Sequence, residues 1–218
     1  PKVGGTARKT NHDYTKGKLP ELLDVIIAEG TKLFVSAVGV PHVWVVDKLH
    51  AAGILVMNMV GAPKHVKKSL AAGCDIICAQ GGEGGGHTGD LATSILIPKV
   101  VDLCRGITSK MTGCPIHVIA AGGIFDGRGL AMALSLGAQA VWVGTRFICT
   151  TESSAPKRHK NAVMDCGFHD TIRTIIYTGR PLRVLRTEYN SMWENRQDEI
   201  NELTSNGIVP MRHDYEER

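Results

Sequence analysis

A glycine-rich loop that ends at a histidine holds the residues of this sequence best suited to chemistry. Residues 79–90 read AQGGEGGGHTGD, so five glycines surround Glu83 and lead to His87. Glycine lets the backbone adopt positive φ and approach a ligand closely. The imidazole of His87 titrates near neutral pH, which suits it to act as a general base. Residues 75–80 form an apolar run that predicts a buried strand, so His87 is expected just past a strand's C-terminal end, where α/β proteins place their active sites.

Two further glycine turns each follow an apolar run directly. The first turn is Gly122-Gly123, and the second is Gly144-Thr145. Backbone N–H groups at such turns, next to a helix N-terminus, can hold a phosphate without a lysine. In (β/α)8 barrels the phosphate site commonly follows strands seven and eight, so two such turns on neighbouring strands would share one phosphate. Alternatively, these glycines only allow tight strand-to-helix turns.

Predicted strands and helices alternate regularly from Lys32 onward. The strands are continuous apolar runs, which is typical of a parallel sheet that is buried on both faces. The helices begin near Pro, Ser or Asp and end at Gly, as capped helices do. Strands are expected at residues 33–38, 54–59, 75–80, 116–121 and 140–144, and helices at 41–52, 63–72, 94–104 and 127–136. Repeating βα units of this size predict a (β/α)8 barrel or a doubly wound sheet.

Five strands are too few to close an eight-stranded barrel. Either the sheet is open, or about three βα units precede residue 1; the chain begins with Pro rather than Met. We expect a lead-in and helix at 1–31, βα units carrying the site at 32–150, and a mostly helical C-terminal α+β segment at 151–218. In that segment the pattern predicts helices at 153–166 and 187–208 and a strand at 171–177. His117, on an apolar strand, is predicted to be a core histidine.

The composition is that of an ordinary globular protein and argues against nucleic-acid-binding and membrane-spanning proteins. The chain has 218 residues, 43% of them hydrophobic, and a formal net charge of +4. Its basic residues form no sustained block, which argues against nucleic-acid binding. No apolar stretch is long enough to span a membrane. The six cysteines show neither a C-x-x-C pair nor metal-ligand spacing, which favours reduced thiols in an intracellular, cytoplasmic protein.

Three segments, in this order and at this spacing, resemble the nitronate monooxygenase family, formerly called 2-nitropropane dioxygenase. They are AQGGEGGGHTG at 79–89, IAAGGI at 119–124 and GTRF at 144–147. The amino-acid sequence of the glycine loop is most similar to that of fungal-type members of the family. The resemblance covers about residues 32–160. It implies an FMN-binding TIM barrel, an α/β fold whose first strands have no counterpart in this chain. It also implies oxidation of alkyl nitronates, and in some members nitroalkanes, by molecular oxygen to carbonyl compounds and nitrite.

The resemblance also assigns roles to individual residues. His87 matches the family's catalytic histidine, which would take a proton from the carbon next to a nitro group. The cofactor-binding positions are matched by Gln80, Gly85, Gly122, Gly123, Gly144 and Thr145, the last four of them at the phosphate. No metal ligand is expected, and the implied partners are the small-molecule substrate and oxygen, with a homodimer as a candidate assembly. Glu83 has three open interpretations: it orients His87, caps a helix or faces solvent.

Two other functions stay open at this point. FMN-dependent NAD(P)H reductases, of the enoyl-acyl-carrier-protein or quinone type, have a similar glycine–histidine loop and need a nicotinamide to reduce the flavin. A non-catalytic flavin- or phosphate-binding module is the second alternative, because the family's first barrel strands have no counterpart here. A phosphate-only, aldolase-like barrel is disfavoured, because no predicted strand end carries a lysine.

Overall fold

The computed structural model describes residues 15–216, which form two compact units. The larger unit contains Thr15–Gly84 and Thr88–Arg146, and the smaller unit contains Gly85–His87 and the chain from Phe147 onward. Residues 1–14, which make up much of the predicted lead-in, lie outside the described residues. Among the described residues, no helix is long and apolar enough to cross a membrane.

Helices and strands alternate through most of the described chain. The strands are β1 (Leu33–Ser36), β2 (Leu55–Val60), β3 (Ile76–Gln80), β4 (Gly86–His87), β5 (His117–Ala121), β6 (Ala140–Trp142), β7 (Thr171–Thr174) and β8 (Leu182–Leu185). The helices are α1 (Leu19–Ala28), α2 (Val43–Ala51), α3 (Pro63–Ala71), α4 (Thr93–Cys104), α5 (Gly127–Ser135), α6 (Thr145–Ile148), α7 (Lys157–Met164), α8 (Glu188–Glu194), α9 (Gln197–Ser205) and α10 (Pro210–Glu216).

The larger unit is built on a five-stranded parallel sheet in the order β1-β2-β3-β5-β6. Each strand pairs with the one that precedes it in this series, and α2 to α5 form the connections between them. A doubly wound sheet reverses its order at a switch point, so this unbroken order favours the barrel type of the two predicted sheets. Because the strands are parallel, the loops that follow all five of them leave the same edge of the sheet.

Both faces of the sheet are buried at its central strands β2 and β3, as the continuous apolar runs predict, whereas the edge strands β1 and β6 are partly exposed. One face packs under the helices, where Val56 and Ile77 belong to the main core. The residues that follow them, Met57 and Cys78, point to the opposite face and pack with Ala121 in a second buried cluster. Burial raises the pKa of the Cys78 thiol to about 12, so the thiol stays neutral and packs as a small apolar group.

The smaller unit contains a three-stranded antiparallel sheet in the order β4-β8-β7. Its core consists of Ile175, Ile176, Trp193, Ile200 and Leu203. The indole N–H of Trp193, which is fully buried, donates to the Asp214 carboxylate at 3.0 Å. Satisfying that polar group allows the ring to fill the centre of the core.

The structure differs from the sequence predictions in several places. A single helix was expected over 187–208, but α8 ends and α9 begins around Asn195 and Arg196. The acidic residues of the α9 first turn, Asp198 and Glu199, favour a new helix N-terminus there. The short strand β4 and the strand β8 were not predicted. His117 was expected in the core, which is wrong: it is the first residue of β5 and its side chain is exposed.

Candidate active site

The glycine loop after β3 is fixed by contacts within the larger unit. Its backbone N–H groups at Gly81 and Gly82 donate to the carbonyl oxygens of Ala121 and Leu91, at 2.9 and 2.7 Å. A Cβ on Gly81 would collide with Thr93 Oγ1. Gly81 is therefore required by the protein's own packing, because Thr93 occupies the space that a side chain would need.

Glu83 caps a helix, which is one of the three interpretations that the sequence leaves open. Its carboxylate accepts hydrogen bonds from the Thr93 N–H at 2.9 Å and the Thr93 hydroxyl at 2.6 Å. Thr93 is the first residue of α4, and the preceding N-cap residue, Ala92, has no side-chain acceptor. A carboxylate at this position satisfies an N–H group that the helix leaves without a partner and complements the helix dipole.

Gln80 and Gly122, two predicted cofactor residues, come together beneath this loop. A Cβ on Gly84 would lie 3.2 Å from Nε2 of Gln80 and 3.3 Å from Cα of Gly122. The Thr93 hydroxyl also lies 2.8 Å from the carbonyl oxygen of Gly122, within hydrogen-bond distance. The end of β3 and the turn after β5 therefore form one tightly packed surface at the carboxyl edge of the sheet.

The two predicted phosphate turns leave the sheet side by side. Ala121 pairs with Trp142 in the sheet, so Gly122-Gly123 and Val143-Gly144 continue from neighbouring strands. Gly122 and Gly123 have φ values of 92° and 71°, a left-handed pair that residues with side chains rarely adopt. A Cβ on Gly144 would meet nothing within 4 Å. Thr145 follows as the first residue of α6.

These turns fit a phosphate, although α5 contributes less than expected. Asp126 is the N-cap of α5, and its carboxylate accepts from the N–H groups of Arg128 and Gly129 at 3.0 and 3.1 Å. Those two N–H groups are therefore already used, and the carboxylate repels an anion. A Cβ on Gly122 would lie 2.6 Å from the carbonyl oxygen of Gly81, so the glycine loop fills the space on that side. The open space above Gly144 remains as the position where a phosphate could lie against the backbone.

His87 lies in the smaller unit, on the short strand β4. Its position is set by pairing with β8, where His87 is opposite Leu182. The side chain is half-buried, and Nε2 lies 3.0 Å from Oγ1 of Thr178. Burial, and secondarily the positive charge of Arg180, lower the pKa of His87 below its ordinary value. The imidazole is therefore neutral at pH 7, the form that can accept a proton. Gly85, which precedes this strand, is exposed.

Two residues that interact with His87, Thr178 and Arg180, were not singled out by the sequence interpretation. Arg180 is buried, with 8% of its surface exposed. The Thr178 hydroxyl donates to the Arg180 carbonyl oxygen at 3.2 Å and accepts from the Arg180 N–H at 3.3 Å. The sequence shows only a turn around Gly179 and Pro181. A polar residue and a cation in a turn are ordinary, so nothing in the pattern connects them with His87.

The fold defines a class: an α/β protein of barrel type, with paired glycine turns at the carboxyl edge of its sheet. The smaller unit, described by itself, carries a half-buried histidine with a lowered pKa. The chain belongs to the nitronate monooxygenase family, whose model matches residues 6–207. This match confirms the resemblance seen in the three sequence segments. The family is one of oxidoreductases whose members are in general flavin-dependent.

Two curated relatives show the range of names among similar proteins. The chain is 45% identical over 166 residues to a Mycobacterium tuberculosis protein named (3aS,4S,5R,7aS)-5-hydroxy-7a-methyl-1-oxo-octahydro-1H-indene-4-carboxyl-CoA dehydrogenase, covering 76% of this chain and 44% of that one. It is 37% identical over 157 residues to the nitronate monooxygenase of Neurospora crassa, covering 64% and 40%. Identity is thus higher to a bacterial protein than to this fungal one. The chain spans about half the length of the curated relatives it matches.

Two solved structures confirm the fold class. FabK from Thermotoga maritima is similar with a TM-score of 0.72 at 32% identity, covering 86% of this chain and 58% of that chain. The nitroalkane oxidase from Streptomyces ansochromogenes is similar with a TM-score of 0.69 at 33% identity, covering 78% and 49%. Both are TIM-barrel enzymes, which is one of the two architectures that the βα repeats predict and the one that the family resemblance implies.

Proposed function

We propose that this protein is an FMN-dependent nitronate monooxygenase, which oxidises alkyl nitronates, and nitroalkanes after deprotonation, with molecular oxygen to carbonyl compounds and nitrite. The observation that supports this best is the neutral imidazole of His87 beside the buried cation of Arg180, in a chain of the nitronate monooxygenase family. A neutral base and a nearby positive charge are what deprotonation of a carbon acid to an anion needs.

The cofactor assignment follows the resemblance and the turns described above. We propose that FMN is held by Gln80, Gly85, Gly122, Gly123, Gly144 and Thr145. Backbone N–H groups at the two turns would bind its phosphate, and the open space above Gly144 supports this placement. When bound, FMN supplies the electron transfer between the nitronate and oxygen, while the protein provides binding, orientation and proton transfer.

His87 acts in this proposal only on nitroalkanes that still carry their α-proton. The neutral imidazole takes that proton, and the positive charge of Arg180 favours the negative charge that develops on the nitro group. The same positive charge contributes to lowering the pKa of His87 below 6.5. The base form therefore persists to lower pH than in an ordinary histidine. A nitronate lacks the α-proton and does not need this step.

The experiment compares kcat/KM for nitroethane and for ethyl nitronate in wild type and His87→Asn. We expect a loss of about 10²- to 10⁴-fold with nitroethane, the usual contribution of a general base, and little change with the nitronate. The exposed histidine variant His117→Asn is the matched control and should behave as wild type. With the wild-type protein, nitroethane turnover should stay high down to a pH below 6.5. Full nitroethane turnover by His87→Asn would show that His87 is not the base.

A second candidate function is oxidation of an alicyclic acyl-CoA thioester. It is favoured by the relative at 45% identity, which is named as a carboxyl-CoA dehydrogenase. A neutral histidine is also the form that could take the proton next to a thioester carbonyl, although that proton is much less acidic than one next to a nitro group. Anaerobic mixing separates the candidates: flavin bleaching by ethyl nitronate supports the monooxygenase, bleaching only by an acyl-CoA supports the dehydrogenase, and bleaching only by NADH supports the reductase.

We further propose that the protein acts inside the cell. Three of its cysteines, Cys74, Cys78 and Cys104, are buried as free thiols in the larger unit. Burial raises the pKa of Cys74 and Cys78 to about 12 and that of Cys104 to about 11. Such thiols serve packing and match a reducing compartment, where disulfides are rare. Fractionation of cells that express the protein would test this location.

A further inference from the structure

The hydrogen bond between His87 and Thr178 constrains which imidazole nitrogen carries the proton. Nε2 of His87 lies 3.0 Å from the Thr178 hydroxyl oxygen. A hydroxyl has one hydrogen to donate and two lone pairs that can accept. The Thr178 hydroxyl donates its hydrogen to the carbonyl oxygen of Arg180, at 3.2 Å. With the hydroxyl hydrogen on that carbonyl, the oxygen accepts from His87, and Nε2 is the nitrogen that donates.

The backbone around Thr178 holds the hydroxyl in this orientation. The N–H of Arg180 donates to the same oxygen at 3.3 Å, and the turn between them contains Gly179 with φ of 71°. Gly179 is tied back by its own N–H, which donates to the Ile175 carbonyl at 2.8 Å. Pairing of His87 with Leu182 fixes the strand on the other side of the contact. Both partners of the hydrogen bond are thus attached to ordered backbone.

We propose that Thr178 is a positioning residue that holds neutral His87 in the Nε2–H tautomer, so that Nδ1 is the atom that accepts the substrate proton. Within residues 15–216 no other hydrogen bond reaches the imidazole, which leaves the Nδ1 lone pair available. The reversed arrangement, with the hydroxyl donating to Nε2, would place the hydrogen on Nδ1 and remove the base. This inference rests on the proposed role of His87, and it adds which atom acts and what selects it.

Nitrogen NMR of the FMN-loaded protein tests the tautomer directly. Protein labelled with ¹⁵N-histidine is recorded above pH 7, and the signals of His87 are identified as those missing from a His87→Gln variant. Protonated and unprotonated ring nitrogens have well separated ¹⁵N shifts. We expect protonated Nε2 and unprotonated Nδ1 in wild type and in Thr178→Ser, which keeps the hydroxyl. In Thr178→Val, which has a similar shape without the hydroxyl, we expect the two tautomers to mix.

Kinetics provides the second measurement on the same three proteins. Thr178→Val should lower kcat/KM for nitroethane by about fivefold, the factor that one ordinary hydrogen bond contributes. It should leave kcat/KM for ethyl nitronate unchanged, and Thr178→Ser should restore nitroethane turnover. If Thr178 had a purely structural role, Thr178→Val would lower kcat/KM for both substrates together.

Two results would overturn the proposal: a protonated Nδ1 in wild type, or a Thr178→Val variant with wild-type tautomer and kinetics. If the wild-type protein shows the expected tautomer but does not turn over nitroethane, the tautomer assignment stands and only the proposed function is refuted. The two inferences can therefore fail separately, because the NMR measurement requires no turnover.

Discussion

Asp75 is a buried carboxylate that joins three segments of the larger unit, and its replacement by alanine should be strongly destabilising. Only 3% of the residue is exposed. Its two oxygens accept from the Val56 N–H at 2.8 Å, the His50 Nε2 at 2.9 Å and the Ser109 hydroxyl at 2.6 Å. Alanine would leave the N–H and the hydroxyl buried without this acceptor, at about 1–3 kcal/mol each. We expect a loss of about 3–5 kcal/mol in the free energy of unfolding, the usual result of breaking a buried polar pair.

Urea unfolding followed by far-ultraviolet circular dichroism measures this loss. Asp75→Asn, which keeps one acceptor oxygen and loses the charge, should fall between wild type and Asp75→Ala. The matched control is Asp102→Ala, which removes an exposed ion pair to Arg105 and should cost less than about 0.5 kcal/mol. If Asp75→Ala unfolds within about 1 kcal/mol of wild type with an unchanged m-value, the cluster does not hold the unit together and the reasoning is wrong.

Substitutions at Glu83, Gly89 and Gly144, with controls, test the glycine loop and the phosphate turns. Glu83→Ala should cost about 1–2 kcal/mol by removing the cap of α4, whereas Glu83→Gln, which keeps an acceptor, should cost less in the same urea titration. Gly89→Ala would place a Cβ against a backbone carbonyl and should cost about 2 kcal/mol or more, whereas Gly127→Ala, with open space, should change stability by less than about 0.5 kcal/mol. Gly144→Ala should unfold like wild type but lose FMN on gel filtration, as judged from the ratio of flavin to protein absorbance.

The parallel sheet could be predicted because its local and long-range signals agree. A strand with a continuous apolar run, such as residues 54–59, removes all its apolar side chains from water only when both faces of the sheet are covered. The strand β2 is buried in this way. Glycines with positive φ, such as Gly53 and Gly73, end the preceding helices where the sequence indicates. In contrast, β4 consists of two residues, too few to show any period. It exists because it pairs with β8, far along the chain, and no local pattern encodes that pairing.

The same distinction separates the parts of the site that could be predicted from those that could not. Gln80 and Gly122 end adjacent parallel strands, so their meeting at one edge follows from the strand order alone. Thr178 lies in a Thr-Gly-Arg-Pro segment that is typical of any turn. Its contact with His87 depends on the antiparallel pairing of β4 with β8, which fixes both backbones. The sequence could therefore identify the candidate base but not the residue that orients it.

A glycine that the protein's own packing requires is not by itself evidence for a ligand. Gly81 and Gly89 are required by neighbouring atoms of the same unit, since a Cβ at either would collide with them. Gly144 has no such requirement: a Cβ there meets nothing, and its φ is not in the left-handed region. The same is true of Gly127, the first residue of α5, where any side chain can point to solvent. Alanine at Gly127 and alanine at Gly144 should therefore differ in flavin retention alone, and equal retention would mean that Gly144 does not bind the phosphate.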